Sequence, residues 1–338
     1  MANKKIFVFL DGTWQDGVNN NSPLTNVATL ARCLQSHDTD GSPQIVYYSS
    51  GVGNGTSRPA QLFDAMTGRG KWPRTFGSPA TNPTSTHVGL STKVREAYSF
   101  LSHNYNFSDN KDEIYLIGFS RGAFAAQCLA SFISQTGLMP KEYLYYLRGL
   151  FELWANQKIG SVAKELHKRK KELEDSSALR KVEIKTLALW DTVSSLAAQL
   201  PPRPLAFVGE QVPWCVRYAF QALSLNEERK KFAPVVWRSK EGNTTVSQCW
   251  FVGGHSDVGG SEDAALGLVT LLWMIGKLYR LGVSFNNQEI SKHMKSKYLE
   301  WNCSVNRLFK TVNATAVLHH LPHQGTNSLD QIQTQSRD

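Results

Sequence analysis

Residues 114–126, Ile-Tyr-Leu-Ile-Gly-Phe-Ser-Arg-Gly-Ala-Phe-Ala-Ala, constrain this chain most. An apolar run of strand length stops at Gly118-Phe119-Ser120-Arg121-Gly122 and passes into small, helix-forming residues. A strand that turns directly into a helix needs a sharp, strained junction. Glycines two before and two after Ser120 remove the Cβ atoms that would collide there. Such a turn lifts the serine Oγ above the sheet edge and aims the first N–H groups of the helix at the same spot. The pattern predicts a strand at 113–118, a helix at 121–134 and an accessible nucleophile at Ser120. The plainer alternative is a strand–helix turn that merely contains a serine.

The rest of the chain repeats the alternation. Apolar, β-prone segments lie at 5–10, 44–48, 183–190 and 246–252. Helical spacing appears at 26–35, with Thr25 as its cap, and at 91–104, where Val94, Ala97, Tyr98 and Leu101 share a face. Further helices are expected at 140–154, 161–174, 215–225 and 263–281. Residues 51–88 are rich in Gly, Pro, Ser and Thr and too long for a simple connection, which suggests an excursion with a short helix near 59–66. Alternating strands and helices imply an α/β fold, a mostly parallel sheet with helices on both faces. We expect one domain over 1–325, with a helical insertion at about 138–180 and a polar tail at 326–338. The insertion follows the elbow helix, a position suited to a lid, and Tyr143, Tyr145, Tyr146, Phe151 and Trp154 are candidate walls of an acyl pocket there. The plainer reading of such a stripe is core.

In a parallel sheet the strand ends share one edge, and that edge carries Asp11, Ser120, Asp191 and His255. A serine hydroxyl is a poor nucleophile until a base takes its proton. The strand at 183–190 stops at Asp191, and the strand at 246–252 stops at Gly253-Gly254-His255. His255 would take the Ser120 proton, and Asp191 would hold the imidazole. Asp257 is the rival acid, although its position suits bracing the Gly259-Gly260 loop. Asp191 read plainly is a helix cap, and His255 a turn residue. For an oxyanion, Arg121 offers the amide after the nucleophile, and Asp11-Gly12-Thr13 offers the Gly12 or Thr13 amide. Asp11 suits holding that turn through N–H bonds, with metal ligation as its alternative. The Arg121 guanidinium suits either an anionic substrate group or a surface ion pair.

Composition narrows the classes. The 338 residues are 41% hydrophobic and 19% charged, the balance of a globular protein. The net charge of +9 owes much to the run from Lys164 to Lys171, read as a solvated helix face. Basic residues are not interleaved with aromatics, so nucleic acid is not an expected partner. Five widely spaced cysteines read as buried thiols of a reducing compartment, and nothing in their spacing points to zinc or to a cofactor. Neither a signal peptide nor a membrane span is visible, so the expected location is cytoplasmic, with peripheral contact to anionic lipid compatible with the basic balance.

Taken together, Phe9–Trp14 (FLDGTW), Thr25–Ala28, Tyr47–Gly53 (YYSSGVG), Ile117–Ala123 (IGFSRGA), Leu189–Val193 (LWDTV) and Trp250–Gly260 (WFVGGHSDVGG) resemble the DUF2235 group. These are α/β-hydrolase domains with the fold of the catalytic domain of type VI secretion phospholipase effectors. The resemblance implies a Ser-Asp-His hydrolase acting on esters, with phospholipid acyl chains the substrate of its best-understood members. It places Ser120, Asp191 and His255 on the matching positions. The secreted effectors carry extra membrane-anchoring segments, so this chain reads as a stand-alone version of the domain. The expected activity is a serine esterase or phospholipase-like hydrolase that works through an acyl-enzyme, on a small-molecule or lipid ester. The alternatives are a thioesterase, amidase or transacylase on the same residues, or a binding protein on a hydrolase fold.

Overall fold

The computed structural model describes residues 3–12, 24–51, 86–108, 112–193, 205, 207–229, 234–238 and 243–294. Thr13, the expected helix near 59–66, Cys303 and the expected tail lie outside them. Among the described residues, six strands form one parallel sheet: β1 (Lys5–Leu10), β2 (Gln44–Ser49), β3 (Glu113–Phe119), β4 (Ile184–Trp190), β5 (Val216–Ser224) and β6 (Thr245–Phe251), in the order β2-β1-β3-β4-β5-β6.

The order explains where the helices go. Stepping from β1 to β2 moves one way across the sheet, and every later step moves the other way. Right-handed crossovers then put the first helix on one face and the following ones on the opposite face. Accordingly α1 (Asn26–Cys33) buries Val27, Leu30 and Cys33 against Phe7, Phe9, Tyr115 and Ile117. The final long helix (Ala264–Tyr279) shares that layer through Leu268, Leu271, Met274 and Leu278. On the other face, α2 (Thr86–Asn104) and α3 (Arg121–Thr136) cover Ile6, Val8, Leu10, Ile114 and Leu116. Neighbouring strand residues therefore alternate between two cores, the period-two pattern of a sheet buried on both sides. Val94, Ala97, Tyr98 and Leu101 of α2 are fully buried, and the Thr25 hydroxyl caps α1 by accepting from the Ala28 N–H at 3.1 Å.

Two expectations change. Residues 216–224, within the helix expected at 215–225, are the strand β5. Ala219, Phe220, Gln221, Ala222 and Leu223 are all buried, so the segment lacks the polar alternation that marks a half-exposed strand. The second concerns the aromatic stripe of the helical insertion at 138–180. After α3 come a 3-10 turn (Lys141–Tyr146), α4 (Leu147–Ala155) and α5 (Val162–Asp175). α3 runs away from Ser120 for 16 residues, a length of about 24 Å, before this segment begins. Phe151 and Trp154 pack on Phe132 in the core, and Tyr145 is exposed.

Candidate active site

The edge formed by the strand C-termini gathers the residues that the sequence singled out. Ser120 joins β3 to α3 with φ 58° and ψ −123°, a conformation costly for any residue with a Cβ. Its N–H donates to the Trp190 carbonyl at 3.1 Å, and its carbonyl accepts from the Phe124 N–H at 3.2 Å. Close packing makes the turn possible. A Cβ on Gly122 would lie 2.0 Å from the Leu10 carbonyl oxygen, so α3 can meet the end of β1 only with glycine there.

Two later strand ends complete a chain of side chains. His255 Nε2 lies 2.7 Å from Ser120 Oγ, and His255 Nδ1 lies 2.6 Å from Asp191 Oδ2. All three residues are buried, Asp191 completely. Asp191 also has a left-handed backbone, with φ 40°. The carboxylate takes two further bonds from the end of β5. The Ser224 N–H donates to Oδ1 at 2.7 Å, and the Ser224 hydroxyl donates to Oδ2 at 2.8 Å. Just beyond, Asn226 ties this strand end to the loop carrying His255. Its N–H donates to the Gly253 carbonyl at 3.1 Å, and its Oδ1 accepts from the Gly253 N–H at 2.9 Å. A hydroxyl, an imidazole and a buried carboxylate in this order can pass a proton from the serine to the imidazole.

Asp257, the rival acid, faces its own loop. It accepts from the Gly254 N–H at 2.8 Å and the Asp263 N–H at 3.1 Å, so it braces the short α6 (His255–Val258) and the start of α7 (Ala264–Tyr279). Asp11 stands at the end of β1 with three donors: Gly12 N–H at 2.7 Å, Thr25 Oγ1 at 2.8 Å and the Tyr48 hydroxyl at 2.6 Å. Burial pushes its carboxyl above the ordinary value, and the donors pull against that. The Gly12 N–H, foreseen as an oxyanion donor, is here given to the Asp11 carboxylate. Among the described residues, groups of acidic, His or Cys side chains able to hold a metal ion are absent.

Cations flank the cluster. Burial pushes the Arg121 guanidinium, at the start of α3, down to about 10. Burial likewise lowers Lys93 of α2 to about 8, against the pull of Asp11 and Glu96, and its ammonium donates to Ser49 Oγ at 3.1 Å. Ser224 ends β5 and Asn226 lies just beyond it, and both escape the sequence reading because the apolar run before them reads as a helix. A Ser-x-Asn directly after an apolar run was the available signal.

Residues 4–277 match the family model described as T6SS, Phospholipase effector Tle1-like, catalytic domain. An uncharacterized protein of Saccharomyces cerevisiae is 28% identical over 237 residues, which is 68% of this chain and 32% of that protein. Two solved structures are similar. One is the crystal structure of an uncharacterized protein from Pseudomonas aeruginosa, with TM-score 0.44, 16% identity, and coverage of 84% of this chain and 46% of the other. The second is the Tle1 effector bound to the VgrG spike from the type 6 secretion system, with TM-score 0.38, 18% identity, and coverage of 77% and 51%. The chain thus spans 32% of the curated relative and about half of each solved one.

Proposed function

The chain belongs to the family of Tle1-like catalytic domains of type VI secretion phospholipase effectors, and from that premise we propose that it is a serine hydrolase of lipid acyl esters. The observation that carries the reading is the Ser120–His255–Asp191 chain, with contacts of 2.7 and 2.6 Å. His255 Nε2 accepts the Ser120 proton as Oγ attacks the ester carbonyl. Asp191, which cannot be reached by water, accepts the Nδ1–H, fixes the tautomer and stabilises the imidazolium. The main-chain N–H of Arg121, at the start of α3, donates to the developing oxyanion, and Thr13 supplies the second amide. His255 then passes its proton to the leaving alcohol. A water activated by the same imidazole cleaves the acyl-enzyme and frees Ser120.

The test is hydrolysis of p-nitrophenyl butyrate and of phospholipid vesicles by wild type and Ser120→Ala, alongside fluorophosphonate labelling. Wild type should turn over at least one ester and take the label. Ser120→Ala should lose both, with a rate loss of about 10⁴-fold or more. Equal rates in the two proteins would end the assignment.

A further inference from the structure

Three motifs that are far apart in sequence meet on one aromatic ring. Phe119, the residue before the serine, is 2% exposed and stacks on the His255 imidazole, with centroids 4.8 Å apart and planes at 30°. Two glycines close around the same ring. A Cβ on Gly12 would lie 2.8 Å from Phe119 Cδ1, and one on Gly259 would lie 2.1 Å from Cζ. The backbone does not demand glycine at 259, where φ is −73° and ψ −12°. Space for the ring does.

We infer that Phe119 is a positioning residue for His255, and that Gly12 and Gly259 are glycines so that its ring can lie flat on the imidazole. An imidazole held only by its two nitrogens can still tilt about the line joining them. The flat ring removes that freedom and keeps Nε2 on Ser120 Oγ while Nδ1 stays on Asp191. Its negative face also attracts the imidazolium that forms when the serine proton arrives. Leucine would fill much of the space but offer no face.

The effect on kcat rests on the hydrolase reading above, so the test carries a readout that does not. In the 338-residue chain, Phe119→Leu should lower kcat on p-nitrophenyl butyrate by about threefold to tenfold, with KM held within about twofold. In the same variant, the downfield proton resonance of the His255–Asp191 hydrogen bond should broaden or vanish. That resonance is assigned by its absence from His255→Gln. Gly259→Ala, which drives a methyl group into the ring, should act likewise. The double variant should lose less than the product of the single losses, because leucine leaves room for the methyl. Phe119→Met serves with the same readouts if Phe119→Leu does not fold. An unchanged resonance in the folded Phe119 variant, or single losses that multiply fully, overturns the inference. A wild type inert to every ester whose resonance is nevertheless lost in Phe119→Leu would sink the hydrolase reading and leave the positioning role standing.

Discussion

Asp191→Asn isolates the carboxylate's charge from its shape. Asp191 has two oxygens and three donors: the Ser224 N–H on Oδ1, and the Ser224 hydroxyl with His255 Nδ1 on Oδ2. An amide can be placed in two ways. With its NH₂ toward the Ser224 main chain, two N–H groups would face each other in a site without solvent, at a cost of about 1–3 kcal/mol for the unmet donor. The oxygen must therefore stay on the Ser224 N–H, which leaves the NH₂ facing His255 Nδ1. The Ser224 hydroxyl can rotate to accept, but the imidazole must now accept at Nδ1 and carry its proton on Nε2. That proton points at Ser120 Oγ, where a lone pair is needed. The expected loss in kcat is about 10⁴-fold, as in the serine-protease template, and corresponds to about 5 kcal/mol of transition-state stabilisation. The fold should survive, because a neutral amide is cheaper to bury than a carboxylate. Initial rates on p-nitrophenyl butyrate, the second-order rate of fluorophosphonate labelling and a thermal melt measure all three. A folded variant within tenfold of wild-type kcat would refute the assigned proton path.

Two other outcomes follow from neighbouring groups. Ser224→Ala takes the hydroxyl donor from Asp191 Oδ2 while Oδ1 keeps the main-chain N–H. We expect kcat/KM to fall by about tenfold, given the usual worth of hydrogen bonds to charged groups. Ser224→Thr should recover most of it, and full activity in Ser224→Ala would show the hydroxyl to be idle. Lys93, lowered to about 8 from 10.5 mainly by burial, binds its proton less tightly in the folded chain than in the unfolded one. Its charge opposes folding in full below about pH 8, and its contribution to stability rises with pH from there to 10.5. Denaturant-unfolding free energies of wild type minus Lys93→Met should therefore be larger at pH 10 than at pH 7.5, and a difference independent of pH would contradict the burial argument.

Much of the site was legible because the chemistry sits at strand ends. Asp11, Ser120, Asp191 and His255 each follow an apolar run, and a parallel sheet gathers such ends on one edge. Their roles could be proposed from residue type, but the choice of acid needed direction. Asp257 is only two residues from His255, yet its side chain turns back to the Gly254 and Asp263 amides. Sequence also cannot show that the Asp11 carboxylate folds back on the Gly12 amide. Strand β5 was missed for a physical reason as well. Its stretch Ala219–Leu223 is buried throughout and mixes Ala, Gln and Leu with Phe220, so it lacks the polar alternation that marks a half-exposed strand. Ser224 went unnoticed with it. The stack of Phe119 on His255 joins residues 136 positions apart only through the sheet order, and nothing local announces it.

The place of β1 between β2 and β3 has a consequence for synthesis. This first strand is buried on both faces and lies between β2 and β3. Lys4 meets Asp112 across 108 residues of chain. At ordinary ribosomal rates the interval between these two points is roughly 5–20 s. Through that time Phe7 and Phe9 can bury one edge at most, against β2, while the side that will receive β3 stays open. β1 thus keeps one edge open until β3 has been made, and through that interval the nascent chain must be kept from pairing this edge with another copy of itself.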